Sequence, residues 1–434
     1  MHPLSRFLFG GLFTATVILS ANRLAAAEST TTTATVDALV AEVLASNPEL
    51  KFYVTEIAAA KGGQRTAAAL ANPELSAEIG NKRVRAPGTP TSDGAAWSVS
   101  VQQTFEYPGR IPLRKAIANR QVELAELGLA QFQAALATRA RTLAYAIHIA
   151  QQKLAVAREV ADRFHSLQEV ALQRDPAGVT PLLEARILEA NALTLLRRAT
   201  QASLESDTAL VELNQLRGLP LRTAVRVAQF NAHLAPAPDL EEALAAARGY
   251  AFELKMRQVE LTQQGFKVDL AKNERYGAFT VSPYYSEARA GDHERQVGVG
   301  VSMPLPLWNR NTGNIDTANA RLQQAQTSLL VMQRQIERQV TDSALAYEAR
   351  LAEIKRWRPD ATKDFRAAAE SADEHYRLGA VPIGTYVELQ KQYLDATEAL
   401  LETRREAFDA GQQLELLTGL NLHDGGAPAG RPQP

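Results

Sequence analysis

Between Ala95 and Leu172 the hydrophobic pattern changes period once and then holds. Trp97, Val99, Val101, Phe105 and Tyr107 alternate with the polar Ser98, Ser100, Gln102, Thr104 and Glu106, the period-two signature of a half-buried strand. Pro108-Gly109-Arg110-Ile111-Pro112 turns the chain, and proline is then absent until Pro176. Across that interval Leu136, Ala140, Leu143, Ile147, Ala150, Leu154, Ala157, Ala161 and Phe164 recur in steps of four and three, the seam of a coiled coil. The spacing predicts a helix of about sixty residues, roughly 90 Å long. No compact domain has a core of that length.

Upstream, Val36 to Ser46 reads as a short amphipathic helix, and Asn47-Pro48-Glu49 starts another that runs to about Leu70, with Asn47 as cap and Pro48 at the first helical position. Leu75, Ala77 and Ile79 alternate with Ser76, Glu78 and Gly80, so this strand and the one through Trp97 form a hairpin across the Pro/Gly-rich loop Arg85 to Gly94. Arg174-Asp175-Pro176-Ala177-Gly178 breaks the long helix and reverses the chain. A helix follows from Pro181 to about Leu216, closed by Gly218. Glu28 to Thr35 reads as disordered, and Leu219 to Pro238 as a linker.

The plan then repeats. Adding 200 to the first strand-to-helix junction maps Val99 onto Val299, Val101 onto Val301, Arg110 onto Arg310, Ala118 onto Ala318 and Asn119 onto Asn319. Adding 201 past the helical turn maps Gly178 onto Gly379, Pro181 onto Pro382 and Gly218 onto Gly419. Internal repetition takes precedence over local readings. In the second half helices are expected over roughly Asp239 to Arg275 and a strand over Tyr276 to Glu287. A charged loop over Ala288 to Arg295 and a strand over Gln296 to Leu307 follow. The next long helix carries Ile315, Ala318, Leu322, Ala325, Leu329, Met332 and Ile336 in the same rhythm, slips at Val340 and Ala344, and is expected to kink at Pro359. The organisation is thus a leader over 1–27, a first repeat over 28–235, a second over 236–420 and a disordered tail over 421–434.

Composition sharpens this picture. Hydrophobic residues make up 46% but aromatics only 6%, which fits long Ala/Leu-rich helices. With 47 basic and 48 acidic residues interspersed, no nucleic-acid surface is expected, and the lack of cysteine excludes disulfides and thiolate metal sites. Arg6, the apolar run Phe7 to Leu19 and Ala25-Ala26-Ala27 form a secretory signal peptide. No later stretch is apolar enough for a membrane-spanning helix. A membrane crossing would have to be made by strands. The four strands of about eleven residues suit a tilted crossing. Since four cannot close and open edges are not tolerated in hydrocarbon, three chains would supply twelve. Trp97, Phe105, Tyr107 and Trp308 near strand ends fit aromatic girdles.

The signal peptide, the duplicated strand-strand-long-helix-turn-helix halves, and the junction Met303-Pro304-Leu305-Pro306-Leu307-Trp308-Asn309-Arg310-Asn311-Thr312-Gly313 resemble the TolC family of outer-membrane efflux proteins. The junction is similar to that of the heavy-metal, cobalt-zinc-cadmium branch. The resemblance implies a mainly α fold with membrane β: a homotrimer whose twelve-stranded barrel sits in outer-membrane lipid and continues as a periplasmic α-helical tunnel. It also implies partners, a periplasmic adaptor and an inner-membrane transporter of the resistance-nodulation-division class that supplies the energy. Asp175, Gly178, Glu184, Gly379, Thr385 and Glu388 would then lie at the tip that closes the channel and meets the adaptor. Related channels have acidic gate residues matching Glu184 and Glu388, but another carboxylate where this chain has Thr385. Copies of these carboxylates around one axis would favour cations. Glu78, Ser98, Ser100, Gln102 and Glu106 would line the barrel lumen.

No nucleotide loop, nucleophile elbow or zinc-protease pair is present, and His148, His165 and His375 lack a second ligand at metal-binding spacing. The expectation is a passive duct, not an enzyme, with no cofactor. Heavy-metal export is the leading reading. Multidrug efflux or type I secretion through the same fold, and a periplasmic helical scaffold or adaptor without a barrel, are the alternatives.

Overall fold

The computed structural model describes residues 32–422 apart from 86, 89, 175–178, 229–232 and 359. The leader, the tail from 423, the kink at Pro359, and Asp175 and Gly178 of the first tip turn therefore lie outside the described residues.

The first half runs β1 (Thr32–Ala34), α1 (Val36–Ser46), α2 (Leu50–Ala68), β2 (Glu74–Val84), β3 (Ser92–Phe105), α3 (Arg110–Arg174), α4 (Val179–Leu216) and β4 (Val225–Val227). The second runs α5 (Leu240–Tyr250), α6 (Phe252–Asn273), β5 (Phe279–Ala290), β6 (Asp292–Ser302), α7 (Thr312–Arg356), α8 (Ala361–Arg377) and α9 (Ile383–Thr418). α3 has 65 residues and hence a length of about 100 Å. Its counterpart is divided, with α7 ending at Arg356 and α8 restarting at Ala361. Both halves close their last helix on a glycine of positive φ, Gly218 at +67° and Gly419 at +71°, a conformation that costs any other residue strain.

The core is strung along the helices instead of gathered at one centre. Of the α3 seam, Leu136, Ala140, Leu143, Ile147, Ala150, Ala157 and Phe164 are buried, as the three-and-four rhythm requires. Near the α3/α4 turn, Phe164, Leu167, Leu188, Tyr376, Tyr386 and Leu394 pack together. Further along, α1, α3, α4 and β4 share Leu39, Val43, Ile147, Leu213 and Val225, while α5, α7 and α9 share Ala247, Val340, Tyr347 and Leu414. Tyr145 and Ile149 of α3 against Leu401 and Phe408 of α9 tie the halves together.

Three sequence expectations are corrected. Thr32–Ala34 is not disordered: it pairs in parallel with Val225–Val227 inside the expected linker. The charged segment 288–295 is no loop, because β5 and β6 stay paired to Ala290↔Asp292 and the chain reverses at Gly291, φ +84°. There, ion pairs take over the cross-strand role that apolar residues play lower down. Met303 to Leu307 leaves the strand, since Pro304 and Pro306 have no N–H to donate to a ladder. A smaller difference is at Asn47, whose side chain accepts from the Glu49 N–H at 2.9 Å while regular helix begins at Leu50.

Candidate channel wall and helical tip

The four long strands form one antiparallel sheet in the order β2-β3-β5-β6. The helices all join it at one end, through Glu74, Phe105, Phe279 and Ser302, and both hairpin turns lie at the other. Register separates two faces of the sheet. Ile79 stands beside Trp97 and Trp97 beside Glu287. Leu75 stands beside Val101, Val99 between Ala77 and Tyr285, and Val281 beside Val301. This apolar face is uncovered: Ile79 is 90% exposed and Val297 82%, far above what water tolerates on a monomer.

The opposite face is small and polar. Glu78 pairs with Ser98 and Ser98 with Ser286, while Ser100 lies between Ser76 and Tyr284, and Gln102 beside Glu74. Ser98 Oγ donates to Glu78 at 3.4 Å, and the Thr104 and Thr280 hydroxyls meet at 3.0 Å. Gly298 makes room for the Tyr284 ring, which lies 2.7 Å from where a Cβ would stand. Thus Glu78, Ser98, Ser100 and Gln102 come together on one surface. Glu106 does not join them: it lies past the end of β3 and pairs with Arg114 of α3 at 2.8 Å. Glu74, Lys82 and Glu294, with Lys82 and Glu294 paired, complete the polar face. Glu294 was missed because the charged segment reads as loop, although its even position, in step with Gln296, carries the signal.

Aromatic side chains mark two levels on the apolar side. Phe105 stacks on Phe279 at 5.4 Å and Tyr107 on Tyr276 at 4.7 Å where strands give way to helices. Trp97 meets Tyr285 at 5.3 Å nearer the hairpin turns. The eight steps from Trp97 to Phe105 span roughly 26 Å along the strand, close to the height of a hydrocarbon band.

At the far end of the helices, Gly379 turns the chain with φ +75° and open space around it. Glu184 of α4 is half-buried and accepts from the Tyr376 hydroxyl of α8 at 2.9 Å. Tyr376 stacks on Tyr386 at 5.2 Å, and the Tyr386 hydroxyl donates to Asp373 at 3.4 Å. Burial pushes the Tyr386 phenol well above its ordinary range, with Asp373 adding to the rise. Asp373 also pairs with Arg377 at 2.9 Å. Thr385 and Glu388 are exposed on α9, and Glu388 accepts from the Gln392 amide at 2.9 Å. The tip carboxylates are therefore unlike each other: Glu184 is held between helices and Glu388 is exposed. The tyrosine-aspartate network that holds Glu184 was not foreseen, because its members come from different helices.

Among the described residues, no group of three or more His, Cys, Asp or Glu could hold a metal ion, and no helix is long and apolar enough to cross a membrane. His148 meets Gln152 at 2.9 Å and burial lowers its pKa. His375 takes the Ser371 carbonyl at 2.7 Å.

No family model matches the chain. The cobalt-zinc-cadmium resistance protein CzcC of Cupriavidus metallidurans is 28% identical over 300 residues, which cover 68% of each protein. The outer-membrane channel CmeC of Campylobacter jejuni superposes with a TM-score of 0.72 at 13% identity, covering 91% of this chain and 87% of that one. CusC, described as forming a transmembrane channel, gives 0.70 at 15% identity over 90% and 93%. A membrane protein of Pseudomonas aeruginosa gives 0.73 at 17% identity over 93% of both. The chain thus shares the fold of outer-membrane channels along about nine-tenths of its length, and its sequence is similar to that of CzcC over two-thirds of it.

Proposed function

We propose that this protein is the outer-membrane duct of a tripartite efflux system and that it carries heavy-metal cations outward. The observation that supports this best is the four-stranded sheet. One face is apolar and bare, the other is polar, and β2 and β6 each leave an edge unpaired among the described residues. Hydrocarbon forbids open edges, so the sheet becomes stable there only when copies of the chain close it. Three copies give twelve strands around an aqueous lumen. Glu74, Glu78 and Glu294 then put carboxylates on the lumen wall, a lining suited to cations. A periplasmic adaptor would meet the tip around Gly379, Thr385 and Glu388, and an inner-membrane pump of the resistance-nodulation-division class would supply the energy. The kinship with CzcC supports metal cargo. Metal ions pass as substrate and need no resident site.

Growth of a strain lacking the protein is the test, across graded zinc, cobalt, cadmium, nickel and copper, with dyes and antibiotics beside them. Sensitivity confined to metals is expected. Sensitivity to dyes alone would overturn the cargo, and a water-soluble monomer by native mass would overturn the duct.

A further inference from the structure

At the hairpin end of the sheet, directly beyond the Trp97–Tyr285 pair, the face that is apolar lower down becomes cationic. Glu287 stands in line with Trp97 on one side and Arg295 on the other, and Arg289 is paired with His293. All lie in register with Val297 and Val299, on the face expected to meet lipid. The Glu287 side chain is only 10% exposed. It accepts from Arg289 at 2.9 Å and from the Tyr285 hydroxyl at 3.2 Å, contacts His293, and lies 4.0 Å from Arg295. On the neighbouring hairpin, on the same face and nearer the turn by register, Arg83 pairs with Asp93 at 2.6 Å. The arginines are held at one side only: Arg83 is 71% exposed, Arg289 70% and Arg295 63%. The nearly buried Glu287 thus holds Arg289, with Arg295 beside it, and Asp93 holds Arg83, leaving the outer faces of three cations exposed.

We infer that Arg83, Arg289 and Arg295 form a site for the phosphate groups of a phosphorylated glycolipid in the outer leaflet. The inference rests on the barrel reading, which puts the helices in the periplasm and the hairpin turns outside. A guanidinium fork matches a phosphate in two hydrogen bonds. Position selects a lipid over a free anion: the cations sit just above the aromatic and aliphatic band, so a molecule with phosphates over acyl chains meets both. The Lys82–Glu294 pair at the same end lies on the opposite, polar face and takes no part.

The test is native mass spectrometry of the purified full-chain channel in detergent, titrated with lipid A, with phosphatidylglycerol and with inorganic phosphate. Wild type is expected to retain lipid A in preference to phosphatidylglycerol, with inorganic phosphate unable to compete. Each arginine changed to glutamine should weaken lipid A binding about fivefold, and R83Q/R289Q/R295Q together about a hundredfold. Equal binding by wild type and the triple variant overturns the site. So does equal retention of both lipids, which would mean surface charge alone, or competition by phosphate. If the triple variant does not assemble, R289Q and R295Q singly carry the same test. Fractionation of the same cells separates the two readings: wild type absent from the outer membrane overturns the barrel, whereas both proteins present there with equal lipid A binding overturns only the lipid site.

Discussion

The Tyr376 hydroxyl donates to Glu184 at 2.9 Å, from a ring that is itself buried against Tyr386. Such a bond to a carboxylate contributes about 1.5 to 3 kcal/mol. Tyr376→Phe should therefore lower the midpoint of thermal helix loss and raise the open fraction in single-channel records, whereas Glu388→Ala, on an exposed surface, should change neither. Identical behaviour of the two variants would mean that the Tyr376–Glu184 bond does not hold the helices together at the tip. A second residue carries a pH dependence. Asp409 of α9 is pushed up to about 6, chiefly by burial and further by Glu402 and Glu406, against the opposing pull of Arg405 and of Arg139 on α3. A carboxyl whose folded pKa lies above its unfolded one binds protons more tightly when folded. Its stabilising protonation is complete below the unfolded value and is lost as pH rises through about 6. Asp409→Asn should accordingly be more heat-stable than wild type near pH 7.5, with the gap closing towards about pH 4; a gap independent of pH would sink this account.

Elements show how far local pattern reaches. The seam residues of α3 were legible because a helix that buries one stripe must repeat its apolar positions every three or four residues. Seven of the nine named are buried. The β5–β6 hairpin was misread because strand pairing there is carried by Glu287, Arg289, His293 and Arg295, and a charged run carries no apolar alternation for a sequence to show. Gly94 tests the pairing from the other side: a Cβ on it would lie 1.2 Å from the Arg289 carbonyl oxygen. Gly94→Ala must therefore displace one backbone from the other, and should lower the yield of heat-resistant oligomer on gels. Gly80→Ala, with open space around that position, should leave it unchanged. Equal yields would mean that β3 and β5 do not approach so closely in the assembled barrel.

At the scale of the whole molecule, the bare apolar face sets the environment. Val299→Arg puts a charge on that face, where it costs about 2 to 4 kcal/mol at mid-membrane depth, and should deplete the protein from outer-membrane fractions. Ser100→Arg, on the polar face, should insert normally and reduce cation conductance. Equal insertion of both variants would mean that the apolar face does not meet lipid. The sequence by itself determined the periods, the duplication and the alternation of apolar with polar residues in the strands, because each follows from spacing along one chain. That β3 pairs with β5 across the two repeats, and that Tyr376 reaches Glu184, were decided only by tertiary structure. These contacts join residues more than 170 positions apart, and no local periodicity encodes the partner of a residue at that distance.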